Sequence, residues 1–481
     1  MMKKRLLLCA LLLCILLTAC STAAETEPVS ISFMHGWGGS GADHVGMREL
    51  FAAFEEENPD IHIVYDTSPD LEIVMEKAAD LLAVDKAPSI ISTNGNVQYV
   101  SNAKKKGVAL DLTPYLKEDA TFASDVSPQI LQALQEPDGA VYTLPDAVEY
   151  IGYWYNASLF RQAGITDTGT PEGTVVPPRT WEEFWAACDA LAQIAPQTGA
   201  VPLQMQVSQM GFFLGARLAG ASEQALAFMQ KEASVCRRED AELAVSELLR
   251  ALSYDTQRGS TPDIRQNFFD GKSAICIDGV WANTEFDQTT TKQEIRYAAF
   301  PGPSGEMTAY ANPATGYVIS SDGSARQIDA CVRFLKYMLS EKVQEQIVTK
   351  THQAPSNPKI SDAWIHEQVP VLADAVQVCK QADRQILTLY SVLPAKSSAQ
   401  LDQLLEELLR GADRIRGSLC GSRFEFCTIV NGRSGRCGED CKFCAQSCHH
   451  RTQVQEYPFL PEEEILADAR RVERSRVGRY S

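Results

Sequence analysis

Val29-Ser-Ile-Ser-Phe-Met-His-Gly-Trp-Gly-Gly39, followed by Met47-Arg-Glu-Leu-Phe-Ala-Ala-Phe-Glu-Glu-Glu57, Asn58-Pro59 and Ile61-His-Ile-Val-Tyr65, is the stretch on which the fold turns. Val29 to Phe33 alternates apolar and polar residues with the period of a strand, and the Gly-Trp-Gly-Gly that follows makes a turn with a large flat side chain beside it. Leu50, Phe51 and Phe54 then recur at helical spacing until Asn58-Pro59 stops them, and Ile61 to Tyr65 returns to strand. The rhythm continues through a helix around Leu71 to Val84, the apolar pair Ile90-Ile91 and the turn Thr93-Asn-Gly-Asn96. Strand, helix, strand at this spacing predicts an α/β domain with a largely parallel sheet and a ligand crevice at the strand C-termini.

Composition sets the outer limits. The chain has 481 residues, 45% hydrophobic and 8% aromatic, enough to fill two or three cores of ordinary size. A formal net charge of -18 argues against nucleic acid as a partner, because phosphate binding needs concentrated Lys and Arg. At the N-terminus Met1-Met-Lys-Lys-Arg5 precedes an apolar run from Leu6 to Leu17, too short to span a bilayer, and then Leu17-Thr-Ala-Cys20. This ending resembles a lipobox. The resemblance implies a bacterial lipoprotein signal over residues 1–20, lipidation at Cys20, a spacer over 21–28 and a mature chain anchored to the membrane from outside.

The 14 cysteines fall into two populations beyond the signal. Cys188, Cys236, Cys276, Cys331 and Cys379 stand singly in mostly apolar surroundings and read as small buried hydrophobes, with disulfides open as an alternative. Cys420, Cys427, Cys437, Cys441, Cys444 and Cys448 crowd together near the end.

Several stretches of the body carry a family likeness in order and spacing. They are Val141-Tyr-Thr-Leu-Pro145 with Trp154-Tyr-Asn156, Pro178-Arg-Thr-Trp-Glu-Glu-Phe184, Phe269-Asp-Gly-Lys-Ser-Ala274 through Asp278-Gly-Val-Trp281, Phe300-Pro-Gly-Pro303, Gly316-Tyr-Val-Ile-Ser320, and a helix from Cys331 to Gln344 ending near Ser340-Glu341. Together they resemble the extracellular solute-binding proteins of ABC importers, especially the maltose-binding-like type for sugars, over residues 29–411. The resemblance implies a two-lobed periplasmic-binding-protein fold of α/β lobes with a hinge, closure on a carbohydrate, no catalysis, no cofactor, and permease subunits as partners.

Sugar recognition needs aromatic faces for the pyranose CH groups and Asp, Asn, Gln or Arg for the hydroxyls. Trp37, Asn94, Asn96, Asp146, Tyr153, Trp281 and Tyr317 are the pocket candidates, with Gln209 and Glu149 behind them. Trp37 and Trp281 stand beside glycines, where an indole serves a core or a pocket equally well, whereas Trp154, Trp181 and Trp185 read as core. Asp146 serves either as a ligand group or as a cap for the segment around Tyr150.

Residues 412–481 have a different character. Basic residues become frequent, and Cys437-Gly-Glu-Asp-Cys441-Lys-Phe-Cys444 has the spacing that ligates three irons of a 4Fe-4S cluster. Phe424 to Cys437, Cys444-Ala-Gln-Ser447 with His449-His450, and Tyr457 to Glu464 resemble the N-terminal part of biotin synthase, a radical SAM enzyme. That resemblance implies a cluster at Cys437, Cys441 and Cys444, with S-adenosylmethionine on the open iron, in an incomplete radical-SAM barrel fragment. A closed barrel takes on the order of 200 residues, so the segment as it stands is expected not to insert sulfur. Its thiols are read as untenanted, with adventitious zinc completed by His449 and His450 as the next alternative. The competing reading of the whole is a biotin synthase-like fragment joined to a binding protein.

Overall fold

The computed structural model describes residues 27–408 apart from 70, 94–95, 167–173, 256–263, 286–293, 314–315, 394–396, 398–399, 402 and 406, together with 427–428 and 479–480. The chain divides into two units, Met1–Leu409 and Arg410–Ser481. In the second unit the described residues are a short parallel pairing of Cys427–Thr428 with Arg479–Tyr480. The expected barrel fragment, Cys437, Cys441 and Cys444 lie outside the described residues, as does Cys20.

The first unit is built on two sheets. In the first lobe, β1 (Val29–His35) lies between β2 (Ile61–Thr67) and β3 (Ile90–Ser92) and is parallel to both, with Val29 opposite Ile61 and Phe33 opposite Ile90. Helices Ala42–Glu57 and Leu71–Ala83 supply the crossovers, as the alternation predicts. Because successive strand residues face opposite sides, Ile31 and Phe33 enter one core with Leu50, Phe51 and Phe54, while Met34 enters another with Val74, Ala78 and Tyr99.

β4 (Leu144–Pro145) also belongs to the first sheet, and the chain then crosses at Asp146–Val148 to the second lobe. There β5 (Glu149–Asn156) is central, among β6 (Val201–Gln204), β7 (Ser273–Gly279), β8 (Ile295–Ala298), β9 (Phe300–Pro301), β10 (Met307–Asn312) and, at the edge, β12 (Arg384–Ile386). Ile151, Tyr153 and Tyr155 point into one core, and Trp154 into the opposite one. The chain returns after Pro313 to β11 (Gly316–Ile319), antiparallel to β3 and β4 in the first sheet. The first sheet is therefore mixed, and the parallel expectation holds for β1 to β3.

The stretch expected as one helix from Cys331 is two, Ala325–Leu339 and Glu341–Thr351, separated by Ser340 in an extended conformation. A third crossover leads from His352 to the helix Asp362–Gln368 in the second lobe. The first and third crossovers are tied together, the Val148 N–H donating to the Ala354 carbonyl at 2.9 Å and Ala147 bridging Pro355. Leu401 and Leu405 are buried in the second lobe's core. Cys188, Cys276, Cys331 and Cys379 are buried and Cys236 partly so, all five outside any disulfide, in keeping with their reading as small hydrophobes.

Candidate functional site

A cleft of about 230 Å³ opens where loops from both lobes meet the first and third crossovers. Gly36, Trp37, Asp43 and His44 reach it from the first lobe, Val280 and Trp281 from the second, and Ala147, Val148, Glu149, Gln353 and Ala354 floor it along the crossovers. Trp37 follows the C-terminal end of β1 and Trp281 that of β7, the ends at which α/β sheets present ligands.

Each indole is placed by its own surroundings. The Trp37 backbone N–H donates to Nδ1 of His35 at 3.1 Å. Burial, helped by the nearby Arg48 guanidinium, pushes the His35 imidazole down to about 4, so the ring is neutral and its Nδ1 accepts. Arg48 donates to the carbonyls of Trp37 and Gly39. Gly38 packs backbone to backbone on the neighbouring loop, for a Cβ there would meet the Ser68 carbonyl carbon at 2.6 Å. Trp37 is consequently only 4% exposed, though it lines the cleft.

Trp281 is more open, and its ring folds back over Gly279, where a Cβ would lie 2.1 Å from Cζ3 of the indole. Phe212 meets the ring edge-on at 6.4 Å. The turn beneath is held by the buried Asp278 carboxylate, which accepts from Arg265 Nε at 2.7 Å, Gln209 Nε2 at 3.0 Å and the Gly279 N–H at 2.8 Å. Asn283, in the same 3-10 turn, donates to the His352 carbonyl at 3.1 Å and stands 2.8 Å from its Nδ1. His352 is left-handed, with φ of 50°, where the third crossover begins.

Glu149 opens β5 directly opposite Asn312 of β10, whose amide donates to Oε2 at 3.2 Å. Burial pushes this carboxyl up to about 7, and the Asn312 hydrogen bond only partly offsets it. The next residues, Tyr150 and Ala311, face the other side of the same strands and line a larger cavity of about 550 Å³. That cavity lies behind the crossovers, and neither Trp37 nor Trp281 lines it. The smaller cleft is the one that both indoles line.

Of the residues singled out from sequence, the structure brings together Trp37, Trp281 and Glu149. Asn94 lies outside the described residues. Five others, expected in or near the pocket, do not line the cleft. Asn96 caps the helix Val97–Lys106, its side chain accepting from the Tyr99 N–H at 2.9 Å. Tyr153 is fully buried among Tyr155, Phe184 and Phe300 and belongs to the core. Tyr317 and Asp146, both fully buried, bond to each other rather than facing the cleft. Gln209 braces Asp278. Asp43, His44 and Gln353 were not singled out; the glycine run Gly36 to Gly41 entering a helix was the available signal for the first two.

A family model of the bacterial extracellular solute-binding proteins matches residues 49–373, more than half of the chain. The chain belongs to this family. It is thus a solute-binding protein and not an enzyme. Among solved structures, a Streptococcus pneumoniae solute-binding protein in complex with the blood group A-trisaccharide is 22% identical, with a TM-score of 0.65 over 82% of this chain and 100% of that one. A chitin oligosaccharide binding protein is 20% identical, with a TM-score of 0.66 over 80% and 95%. A Bacillus licheniformis sugar transporter protein in complex with stachyose is 15% identical, with a TM-score of 0.61 over 80% and 97%. At these identities the likeness is one of fold, and it matches the two-sheet α/β architecture of this solute-binding protein.

Among curated proteins, the biotin synthases of Clostridium beijerinckii and Akkermansia muciniphila are 51% and 53% identical over 77 residues, 16% of this chain. The chain spans 24% of the length of these relatives. Among the described residues no group of three or more His, Cys, Asp or Glu is arranged to hold a metal ion, and no helix is long and apolar enough to cross a membrane.

Proposed function

We propose that this solute-binding protein captures a carbohydrate in the cleft between its lobes and delivers it to the permease subunits of an ABC importer. The observation that carries the reading is the pairing of Trp37 and Trp281, one from each lobe, across a cleft floored by Glu149. An indole face covers the CH groups of a pyranose, and a carboxyl at the hinge takes its hydroxyls. Closure of the lobes would bring both sets of groups onto the sugar. The sugars named for the structural neighbours, a blood group trisaccharide, chitin oligosaccharides and stachyose, support the same class. Calorimetric titration of the full chain with an oligosaccharide panel tests it: saturable binding that quenches tryptophan fluorescence is expected, and silence across the panel overturns it.

In this reading Cys20 carries the lipid that holds the protein outside the cell membrane, on the strength of the Leu17-Thr-Ala-Cys20 sequence. Intact mass of the membrane-extracted protein checks it, the expected species starting at Cys20 with acyl groups attached. Residues 412–481 are read as a C-terminal appendage that takes no part in solute capture, a reading that the likeness to biotin synthases supports. Its 4Fe-4S motif at Cys437, Cys441 and Cys444 favours the second reading, a biotin synthase-like radical SAM segment joined to a binding protein. Iron and sulfide analysis of anaerobically purified protein separates the two, a stoichiometric cluster supporting the second.

A further inference from the structure

We infer that the cleft selects a solute carrying a positively charged group, an amino sugar with its amine unacylated, and turns away anionic sugars. The inference rests on the carbohydrate reading and narrows it. Among the described residues lining the cleft, the ionisable side chains are Asp43, His44 and Glu149, with no Lys or Arg. Two guanidinium groups that touch the loops beneath the indoles are engaged elsewhere: Arg48 holds the carbonyls of Trp37 and Gly39, and Arg265 the carboxylate of Asp278. Asp43 sits in the first turn of Ala42–Glu57, where the helix dipole already favours a negative charge. Glu149 has no such support.

Glu149's partner among the described side chains is the neutral amide of Asn312, and burial leaves its carboxyl holding a proton near neutrality. An ammonium group would supply the missing counter-charge through a charge-assisted hydrogen bond, while the partly open face of Trp281 takes the cation on its other side. An anionic sugar would bring a second desolvated negative charge where no lining cation meets it. The net charge of -18 adds long-range attraction of the same sign preference. Binding then drives Glu149 from carboxylic acid to carboxylate, and the proton passes to buffer. The other charged and titratable groups lining the cleft are Asp43 and His44 from the first lobe, with Trp281 from the second as a neutral lining group and Asn312 as the donor to Glu149.

Titration of the full chain with the fully deacetylated chitosan trisaccharide, its fully N-acetylated counterpart, maltotriose and trigalacturonate tests the inference, in buffers of differing ionisation enthalpy and at two salt concentrations. Expected are a preference of about tenfold or more for the free amine over the neutral sugars, the scale of one hydrogen bond between charged groups, proton release, weakening by salt, and loss of the preference in Glu149→Gln. Equal or tighter binding of a neutral or anionic trisaccharide overturns it, and the salt and buffer readouts on the unmodified protein decide even if Glu149→Gln fails to fold. Binding of none of these sugars, with spermidine bound, would overturn the carbohydrate reading and leave the charge selectivity standing. Binding of nothing in the set overturns both.

Discussion

The hydroxyl of Tyr317 in β11 donates to Oδ2 of Asp146 at 2.5 Å, joining the strand on which the chain returns to the first sheet with the crossover by which it leaves. Both side chains are fully buried, and burial together with the Asp146 carboxylate pushes the phenol's pKa well up. Tyr317→Phe removes the donor and leaves the rest of the ring in its core with Phe33 and Phe334. The expected cost is about 1–3 kcal/mol, that of removing one hydrogen bond from a buried carboxylate. Urea unfolding measures it, and solute affinity is expected to change little, because neither side chain lines the cleft.

The contrast between Tyr317 and Trp281 shows what the sequence carries. Alternation over Val29 to Tyr65 determines the strand and helix order, since period 2 and period 3.6 are local properties of the chain. Trp37 and Trp281 were legible as site candidates because glycines at strand ends mark turns that put a large ring beside the backbone. Tyr153 and Tyr317 are aromatic as well, yet lie within strands at core-facing positions whose facing partners, Phe184 and Phe334, come from helices packed on those sheets. Which face of a strand meets a core and which meets a cleft depends on the second lobe's docking, a non-local fact. Asn96 has the pattern of a sugar ligand and of a helix cap alike, and the unsatisfied N–H groups of the helix start claim it.

Gly279 and Trp281 act as one element. Trp281→Ala removes the open indole face and is expected to cost about 2 kcal/mol of solute binding, roughly 30-fold in affinity, as for a central aromatic anchor. Gly279→Ala keeps the indole but places a methyl where Cζ3 now lies at 2.1 Å from the ideal Cβ position, so the ring must swing away. A comparable loss of affinity with a shift in tryptophan emission is expected for Gly279→Ala. Unchanged binding in Gly279→Ala would separate ring position from recognition.

His35 and Glu149 give the stability of the unliganded protein two opposing slopes with pH. The His35 pKa falls from 6.5 to about 4 on folding, so the unfolded chain takes the proton first and this contribution is lost as pH falls from about 6.5 towards 4. The Glu149 pKa rises from 4.5 to about 7, so the folded chain keeps its proton longer, and its favourable contribution, complete below 4.5, is lost as pH rises through about 7. His35→Gln is therefore expected to flatten the acid limb, and Glu149→Gln to flatten the loss towards neutrality. Melting temperatures at half-unit steps between about pH 4 and 8, compared as variant minus parent, read the two slopes separately.

Gln344 ties the crossovers to the first lobe. Its Nε2 donates to the carbonyls of Asp146 at 2.8 Å and Met338 at 3.0 Å, and its Oε1 accepts from the N–H groups of Ser356 at 2.8 Å and Asn357 at 3.1 Å. The side chain is fully buried, so Gln344→Ala would strand four backbone groups at once, each worth about 1–3 kcal/mol when left unmade and some of them recovered by entering water. This variant is expected to be more destabilised than Tyr317→Phe. Because the same amide holds both the Asp146 and the Ser356 segments in place, hydrogen exchange should rise at Ala147, Val148 and Ala354 together, the residues that also floor the cleft. Exchange rising only within Glu341–Thr351 would confine Gln344 to its own helix and remove it from the hinge.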